Sequence, residues 1–308
     1  MLYEAAGIAR FRQRIDKPRD MDPLELVKLN LLVNRTSGRA EIVIGLLDGP
    51  VALEHPDLVR ENIRPVGEAG RAACAQSDSI ACQHGTFVAG ILCAARGSTA
   101  PALCSGCTLL VRPIFGETTT ANSSMPSATP EDLAAAIIDC IEAGARVLNL
   151  SLALAQPSSG SHRRLQDALD YATRRGVIVV AAAGNQGTLG SSAITRHPWV
   201  IPVVGYDLQG RPLAMSNFGE SIGRRGLGAA GADVTSLGVD TQPMMMGGTS
   251  VAAPFVTGAA ALLWSEFPTA TAGEIKLAMT HATRRRAVIV PPLLDAWAAY
   301  QAMKKEKT

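Results

Sequence analysis

Aromatic residues are scarce in this chain. Only 3 Trp, 4 Tyr and 6 Phe occur among 308 residues, so a packed interior must be built from Ala, Val, Leu and Ile. Charge is scarce as well. Charged residues make up 18% of the chain, and 29 Lys+Arg against 27 Asp+Glu leave a formal charge of +2. That excludes the strongly basic surface expected of a nucleic-acid or anionic-membrane binder. The short basic runs Arg174-Arg175 and Arg284-Arg285-Arg286 read as solvated helix ends. No stretch approaches the roughly 20 uninterrupted apolar residues that span a bilayer. Residues 1–14 mix Glu and Arg with short apolar steps, and lack the apolar core and small-residue cleavage site of a secretory signal. These absences predict a cytoplasmic protein, in which cysteines stay reduced.

Six cysteines are present. Cys93 and Cys140 lie in apolar helical patterns, whereas Cys74, Cys82, Cys104 and Cys107 lie in loop-like sequence where pairing is feasible. The Cys104-Ser105-Gly106-Cys107 spacing has no second pair to complete a zinc site. A local disulfide or two free thiols is the expected state there, and no metal is assigned.

What is present is a hydrophobic fraction of 47%, arranged in short runs. Glu41 to Leu47, Thr108 to Arg112, Arg146 to Leu150, Val177 to Ala182 and Val200 to Val204 read as buried parallel strands. Helical patterns lie between and around them: Pro23 to Asn34 with Asp22 as N-cap, Gly85 to Ala95, Glu131 to Ala143 after Thr129-Pro130, and His162 to Arg174. Ser250 to Trp264 is apolar nearly all round and marks a buried helix, while Thr271 to Thr283 and Leu293 to Met303 are amphipathic. Strands alternating with helices predict an α/β fold, a doubly wound and mostly parallel sheet covered on both faces. In such sheets sites form at the carboxyl ends of strands, and Asp48 follows the first run directly. Thr118 to Pro130 is the candidate surface loop.

Serine becomes a nucleophile when an imidazole takes its proton, and the imidazole needs a carboxylate to fix its tautomer. One candidate for each role stands in a suitable setting. Gly247-Gly248-Thr249-Ser250-Val251-Ala252-Ala253-Pro254 puts a serine at a glycine-rich turn opening a helix, where small residues admit substrate backbone and the helix N-terminus favours an oxyanion. Gln83-His84-Gly85-Thr86 puts a histidine at a helix start, and Leu46-Leu47-Asp48-Gly49-Pro50 ends a strand with an acid. Each alone is an ordinary local feature, such as an N-cap or a turn residue. Their joint occurrence is what carries weight. His55 and Asp57, in Glu54-His55-Pro56-Asp57-Leu58, read as a turn, and His162, His197 and His281 as surface or packing residues.

The three segments, in the order Asp, His, Ser, resemble the subtilisin family. A fourth, Ala182-Ala183-Gly184-Asn185, is similar to the family's oxyanion segment. The resemblance implies a serine endopeptidase with a subtilisin-like fold, Asp48, His84 and Ser250 as triad, and Asn185 as oxyanion donor. It also implies substrate contacts from Ser151, Leu152, Ala153, Ala183 and Gly184, with no cofactor. By the same comparison residues 41–308 form the peptidase domain, and residues 1–40 an N-terminal extension packing on its core. Those first 40 residues are too short for a separate inhibitory propeptide domain, so maturation without its removal is expected. Three departures stand out. Gly49 replaces the usual Ser or Thr after the acid, Ala229-Ala230-Gly231 replaces Ala-Pro-Gly, and Asn149 to Leu154 lacks the paired glycines of relatives.

The wording of Leu47-Asp48-Gly49-Pro50, Thr108 to Phe115 and Asn149 to Ala153 is similar to the subtilisin-like proteases of cyanobactin biosynthesis. That branch cuts modified ribosomal precursor peptides, which implies a precursor-peptide partner. A sister branch closes peptides into rings and carries a helical insertion between the acid and the histidine. Only 84 − 48 − 1 = 35 residues separate the two here, so hydrolysis is expected. In secreted subtilisins a calcium site lies in the loop after the histidine helix. The stretch Gly90 to Leu110 has no Asp, Glu, Asn or Gln, so calcium independence is expected.

Overall fold

The computed structural model describes residues 2–4, 21–67, 71–117, 127–154, 162–281 and 289–306. Twelve strands run in chain order through these residues. They are β1 (Leu2–Glu4), β2 (Val43–Asp48), β3 (Ile63–Pro65), β4 (Thr108–Pro113), β5 (Ser127–Ala128), β6 (Val147–Leu150), β7 (Leu152–Leu154), β8 (Ile178–Ala182), β9 (Val200–Tyr206), β10 (Leu227–Ala230), β11 (Val234–Leu237) and β12 (Pro243–Met246). Seven form one sheet in the order β10-β9-β8-β6-β2-β4-β3, and every pair in it is parallel. The fold is therefore the α/β doubly wound type that the alternating pattern predicts.

Side chains alternate between the faces of this sheet, as the pleat requires. Ile44 and Leu46 of β2, with Ile178 and Val180 of β8, join one buried cluster. Leu47, Val179 and Ala181 join the other. Helices cover both faces. On the first lie α3 (Ile80–Cys93) and α8 (Thr249–Glu266), and on the second α4 (Pro130–Glu142) and α5 (Arg163–Arg174). The early segment α1 (Pro23–Leu26) and α2 (Asn30–Val33) adds Leu26, Leu29, Leu32 and Val33 to the first cluster. The shorter α6 (Ala193–Arg196) and α7 (Glu220–Arg225), then α9 (Ala272–His281) and α10 (Ala296–Glu306), complete the chain.

Capping explains several boundaries. The Asp22 carboxylate accepts from the Leu24 amide, and Thr129 and Asp132 form a capping box that starts α4. Pro23 to Asn34 does not continue as one helix, because Lys28 takes a positive φ of 52° and separates α1 from α2. Residues 118–126 of the expected surface loop lie outside the described residues, and Ser127–Ala128 is a strand. Cys74 and Cys82 are joined in a disulfide, unlike the reduced state expected for the cytosol, whereas Cys93, Cys104, Cys107 and Cys140 are free and buried. Burial pushes the Cys140 thiol up to about 12. No helix among the described residues is long and apolar enough to cross a membrane.

Candidate active site

The strand order reverses between β2 and β6. From β2 the chain moves to β4 and β3 on one side, and from β6 to β8, β9 and β10 on the other. Loops leaving the carboxyl ends of such a pair diverge and open a crevice. Asp48 ends β2, and Ser151 follows the end of β6. Helix α3 is pressed onto the β2 end at glycine contacts. A Cβ on Gly49 would lie 2.0 Å from the Ala81 carbonyl oxygen, and one on Gly85 would lie 2.3 Å from that of Pro50. This close approach is the physical reason for a glycine at position 49, where the family resemblance leads to an expectation of Ser or Thr. The approach seats His84 in the second turn of α3, not at its start as the sequence pattern suggests.

Further bonds hold α3 in place. The Thr86 hydroxyl accepts from the Ala52 amide at 2.9 Å, and the Ser236 hydroxyl donates to the Phe87 carbonyl at 2.8 Å. The Cys74–Cys82 bridge ties the first turn to the preceding loop. His84 Nδ1 lies 2.8 Å from Asp48 Oδ1, and the same oxygen accepts from the Gly49 amide at 2.6 Å. His84 Nε2 lies 3.0 Å from Ser250 Oγ. All three side chains are buried.

Ser250 is the second residue of α8, entered through Gly248 at a φ of 128°, a conformation that favours glycine. Helix N-termini leave their first amides without intrahelical acceptors. Pro254 lies inside the same helix. Having no N–H, it cannot donate to the carbonyl four residues earlier, which is that of Ser250. The Ser151 hydroxyl donates to that carbonyl instead, at 3.0 Å. Ser151 in turn accepts from Asn149 Nδ2 at 2.7 Å, and Asn149 Oδ1 accepts from the Thr257 hydroxyl at 2.8 Å. A buried chain of polar groups thus ties α8 to the end of β6.

The loop after β8 carries Asn185. Its Oδ1 accepts from the Thr249 amide at 3.0 Å, which fixes the side chain beside Ser250. Its Nδ2 is buried without a protein partner and is free to donate. The Gly184 amide donates to the Thr249 hydroxyl at 3.1 Å, and Gly184 itself takes a φ of +106°. Asn217 braces this loop. Its Oδ1 accepts from the Gln186 amide, the Thr188 amide and the Thr188 hydroxyl, and its Nδ2 donates to the Ala183 carbonyl and Gln186 Oε1. Sequence reasoning missed Asn217 and the purpose of Pro254. A lone Asn in Ser216-Asn217-Phe218-Gly219 gives no local sign of such a network.

The structure brings Asp48, His84, Ser250 and Asn185 together. Of the expected substrate contacts, Ser151 has its side chain buried and committed to Ser250, which leaves its backbone. Leu152 and Ala153 lie on β7, and Ala153 Cβ would sit 3.2 Å from a Cβ placed on Gly184. Ala183 is buried beside it. His55 Nδ1 accepts from the Asp57 amide within its turn, and His197 pairs with Asp170. Among the described residues one potential metal-ligand cluster occurs, Cys74, Cys82 and Glu117. Two of its members are consumed by the disulfide, and Glu117 accepts from the Ala75 and Gln76 amides.

Chemically, this arrangement can activate a serine hydroxyl and stabilise an oxyanion beside it. The Thermophilic serine proteinase of Bacillus sp. (strain AK1) is 32% identical over 231 residues, covering 75% of this chain and 54% of that protein. Subtilisin DY of Bacillus licheniformis is 28% identical over 258 residues, covering 82% and 87%. The solved structure of Patellamide maturation protease PatA superposes with a TM-score of 0.75 at 26% identity, covering 87% of this chain and 98% of that one. The profile of the Subtilase family matches residues 39–297. The chain belongs to the subtilase family.

Proposed function

We propose that this chain is a serine endopeptidase that hydrolyses an extended peptide through an acyl-enzyme on Ser250. One observation carries the reading: the imidazole of His84 bridges Asp48 and Ser250 at 2.8 Å and 3.0 Å. Ser250 Oγ attacks the scissile carbonyl as His84 Nε2 takes its proton, and Asp48 holds Nδ1–H and stabilises the imidazolium. Asn185 Nδ2 and the Ser250 amide donate to the oxyanion. His84 passes the proton to the leaving amine, and water then repeats the sequence on the ester.

We assign the substrate as a ribosomally made, modified precursor peptide from which a leader is removed. The likeness to PatA supports this, as do the segments around Asp48, Arg112 and Asn149. Hydrolysis is favoured over ring closure by the region between Asp48 and α3. Its described residues hold one short 3-10 turn, Arg60–Asn62, and β3, with no α-helix to roof the acyl-enzyme against water. Residues 41–308 act as the peptidase domain in this reading, with residues 1–40 as an extension.

Covalent labelling by a fluorophosphonate tests the nucleophile. The wild type is expected to label at one site and Ser250→Ala not at all, with parallel loss of cleavage of a leader–core precursor peptide. Labelling of Ser250→Ala at the wild-type rate would remove Ser250 from the mechanism.

A further inference from the structure

The loop from Cys74 to Cys82 leads into α3 and is closed by the disulfide between its ends. Cys82 lies in the first turn of that helix, two residues before His84. Glu117, in the segment after β4, reaches back to the same loop. Its two carboxylate oxygens each lie 3.0 Å from the Ala75 amide, and one of them lies 2.9 Å from the Gln76 amide. Both amides donate, yet a carboxylate has about four acceptor sites, so Glu117 keeps capacity for a further partner. A Glu117 oxygen and the two sulfurs all fall within 4.8 Å of one another. Around a tetrahedral zinc ion, with Zn–S near 2.3 Å and Zn–O near 2.1 Å, such atoms stand about 3.5–3.8 Å apart. The carboxylate is therefore close to its place already. The sulfurs need only separate, and with Cα atoms 5.6 Å apart each can swing about its own Cα–Cβ bond. Two polar atoms of the loop point the same way. Ser79 is fully buried and makes no capping bond to α3, and its Oγ and Gln76 Oε1 are buried without a hydrogen-bond partner among the described residues. Buried acceptors of this kind call for an ion or its bound water.

We propose that Cys74, Cys82 and Glu117 form a redox-gated zinc site: once the bridge is reduced, two thiolates and one carboxylate hold a single Zn²⁺, with the fourth position left to water. A dithiol reductant supplies two electrons and two protons to the S–S bond and is itself oxidised to a disulfide. Zinc binding then releases the two thiol protons. Two sulfur ligands select a soft or borderline ion such as zinc over calcium or magnesium. The amides of Ala75 and Gln76 orient the Glu117 carboxylate, the outer support that ligating carboxylates require. An entry path exists on both sides. A cavity of about 470 Å³ is lined by Gln76 and Glu117, and another of about 360 Å³ by Cys74 and Ser77. The disulfide and the ion thus exclude each other, and each ties the first turn of α3 to the loop before it. The histidine segment is fastened under oxidising and reducing conditions alike. The site stands independently of the endopeptidase reading.

Titration of the full chain with Co²⁺, a coloured substitute for Zn²⁺, tests the site. The chain is first reduced with a phosphine, which opens disulfides without adding thiols. The reduced wild type is expected to take up one Co²⁺ per chain, with thiolate-to-cobalt charge-transfer absorption and the intense visible bands of tetrahedral coordination. Excess Zn²⁺ is expected to bleach both, and the unreduced chain to show neither. Losing a group that only orients a ligand costs about 10–100-fold in affinity, and losing a ligand costs more. Cys74→Ser, at a half-buried position, is expected to weaken uptake by the reduced chain about a hundredfold or more. Glu117→Gln keeps the bridge and an acceptor for the loop amides, and is expected to weaken uptake about tenfold or more while the charge-transfer band persists. Thermal unfolding checks that each variant folds, and Zn²⁺ is expected to raise the midpoint of the reduced wild type and not that of the unreduced chain. A reduced wild type that takes up no cobalt overturns the site. Uptake at wild-type affinity by Cys74→Ser also overturns it, since the ion then sits on other thiols of the chain. Unchanged affinity in Glu117→Gln overturns the three-ligand assignment.

Discussion

At the scale of single residues, Pro254 and Ser151 act as a pair. A proline in a helix interior normally costs about 3 kcal/mol or more, and here the carbonyl it deprives is turned to use as an acceptor for Ser151. The Ser250 backbone is thereby fixed from outside its own helix. Asn185 is fixed in a similar way, by accepting from the Thr249 amide. Its buried Nδ2 then has no protein partner, and an unpaired buried donor costs stability unless something arrives to accept from it. The oxyanion of a tetrahedral intermediate is such an acceptor. Asn185→Ala is therefore expected to lower kcat by about 10²–10³, the cost of removing one oxyanion donor, a magnitude drawn from subtilisin itself. KM for the same peptide should hardly change, because the ground-state carbonyl does not need the bond. Steady-state kinetics decide it, and an unchanged kcat removes Asn185 from the oxyanion site. Asn185 was legible in the sequence because its neighbours Ala182, Ala183 and Gly184 form a recognisable run. Asn217 was not, because each of its contacts is made by residues at least 29 positions away.

At the scale of elements, the placement of α3 on the end of β2 decides whether His84 meets Asp48. The contact is backbone to backbone, through Gly49 against Ala81 and Gly85 against Pro50. Side chains there would push the helix away by about the length of a bond. Gly49→Ser installs the residue type that the family resemblance leads one to expect, yet its Cβ would fall 2.0 Å from the Ala81 oxygen. Overpacking of this kind costs about 1–3 kcal/mol, and a displacement near 1 Å at a reacting group costs about 10² in rate. The expected outcome is a lower thermal midpoint together with a kcat/KM reduced about 10²-fold, read by calorimetry and peptide hydrolysis. A variant with wild-type activity would mean that α3 tolerates the shift. The central strands β2, β4, β6, β8 and β9 were legible to within a residue or two, since each is a continuous apolar run buried on both faces. Edge strand β3 ends in Arg64-Pro65, and β10 reads Leu-Gly-Ala-Ala; neither offers a pattern. β1, β5 and β7 are two or three residues long and exist only through pairing across more than 120 residues of sequence, which no local signal reports.

At the scale of the whole molecule, the scarcity of aromatic residues goes with the close approach of neighbouring elements. Large side chains are replaced by Ala and Gly where α8 crosses the sheet, and Gly258 packs so near Leu103 that a Cβ would lie 2.6 Å from its Cδ1. Leu103 belongs to the segment that follows α3, where the family resemblance would put a calcium site. In this chain a different set of bonds fastens that segment. The Arg96 guanidinium donates to the carbonyls of Val33, Thr36 and Leu103. Asn62 donates to the Ser105 carbonyl at 2.8 Å, and the Gly106 amide to that of Ser37 at 2.8 Å. A fixed cation on the protein thus neutralises several of the oxygens that a hard metal ion would seek, and the ion would also need carboxylates or amide oxygens to complete its shell. Residues 90–110 supply none of those side chains. The thermal midpoint in excess chelator is accordingly expected to equal that in millimolar calcium. Arg96→Ala should lower it by an amount worth about 1–2 kcal/mol, since charge-assisted bonds in a half-exposed site are discounted by solvent, and calcium should not rescue the loss. A rise of many degrees on adding calcium to the wild type would show that ligands from another part of the chain assemble an ion site, and that Arg96 is not what secures this face of the fold.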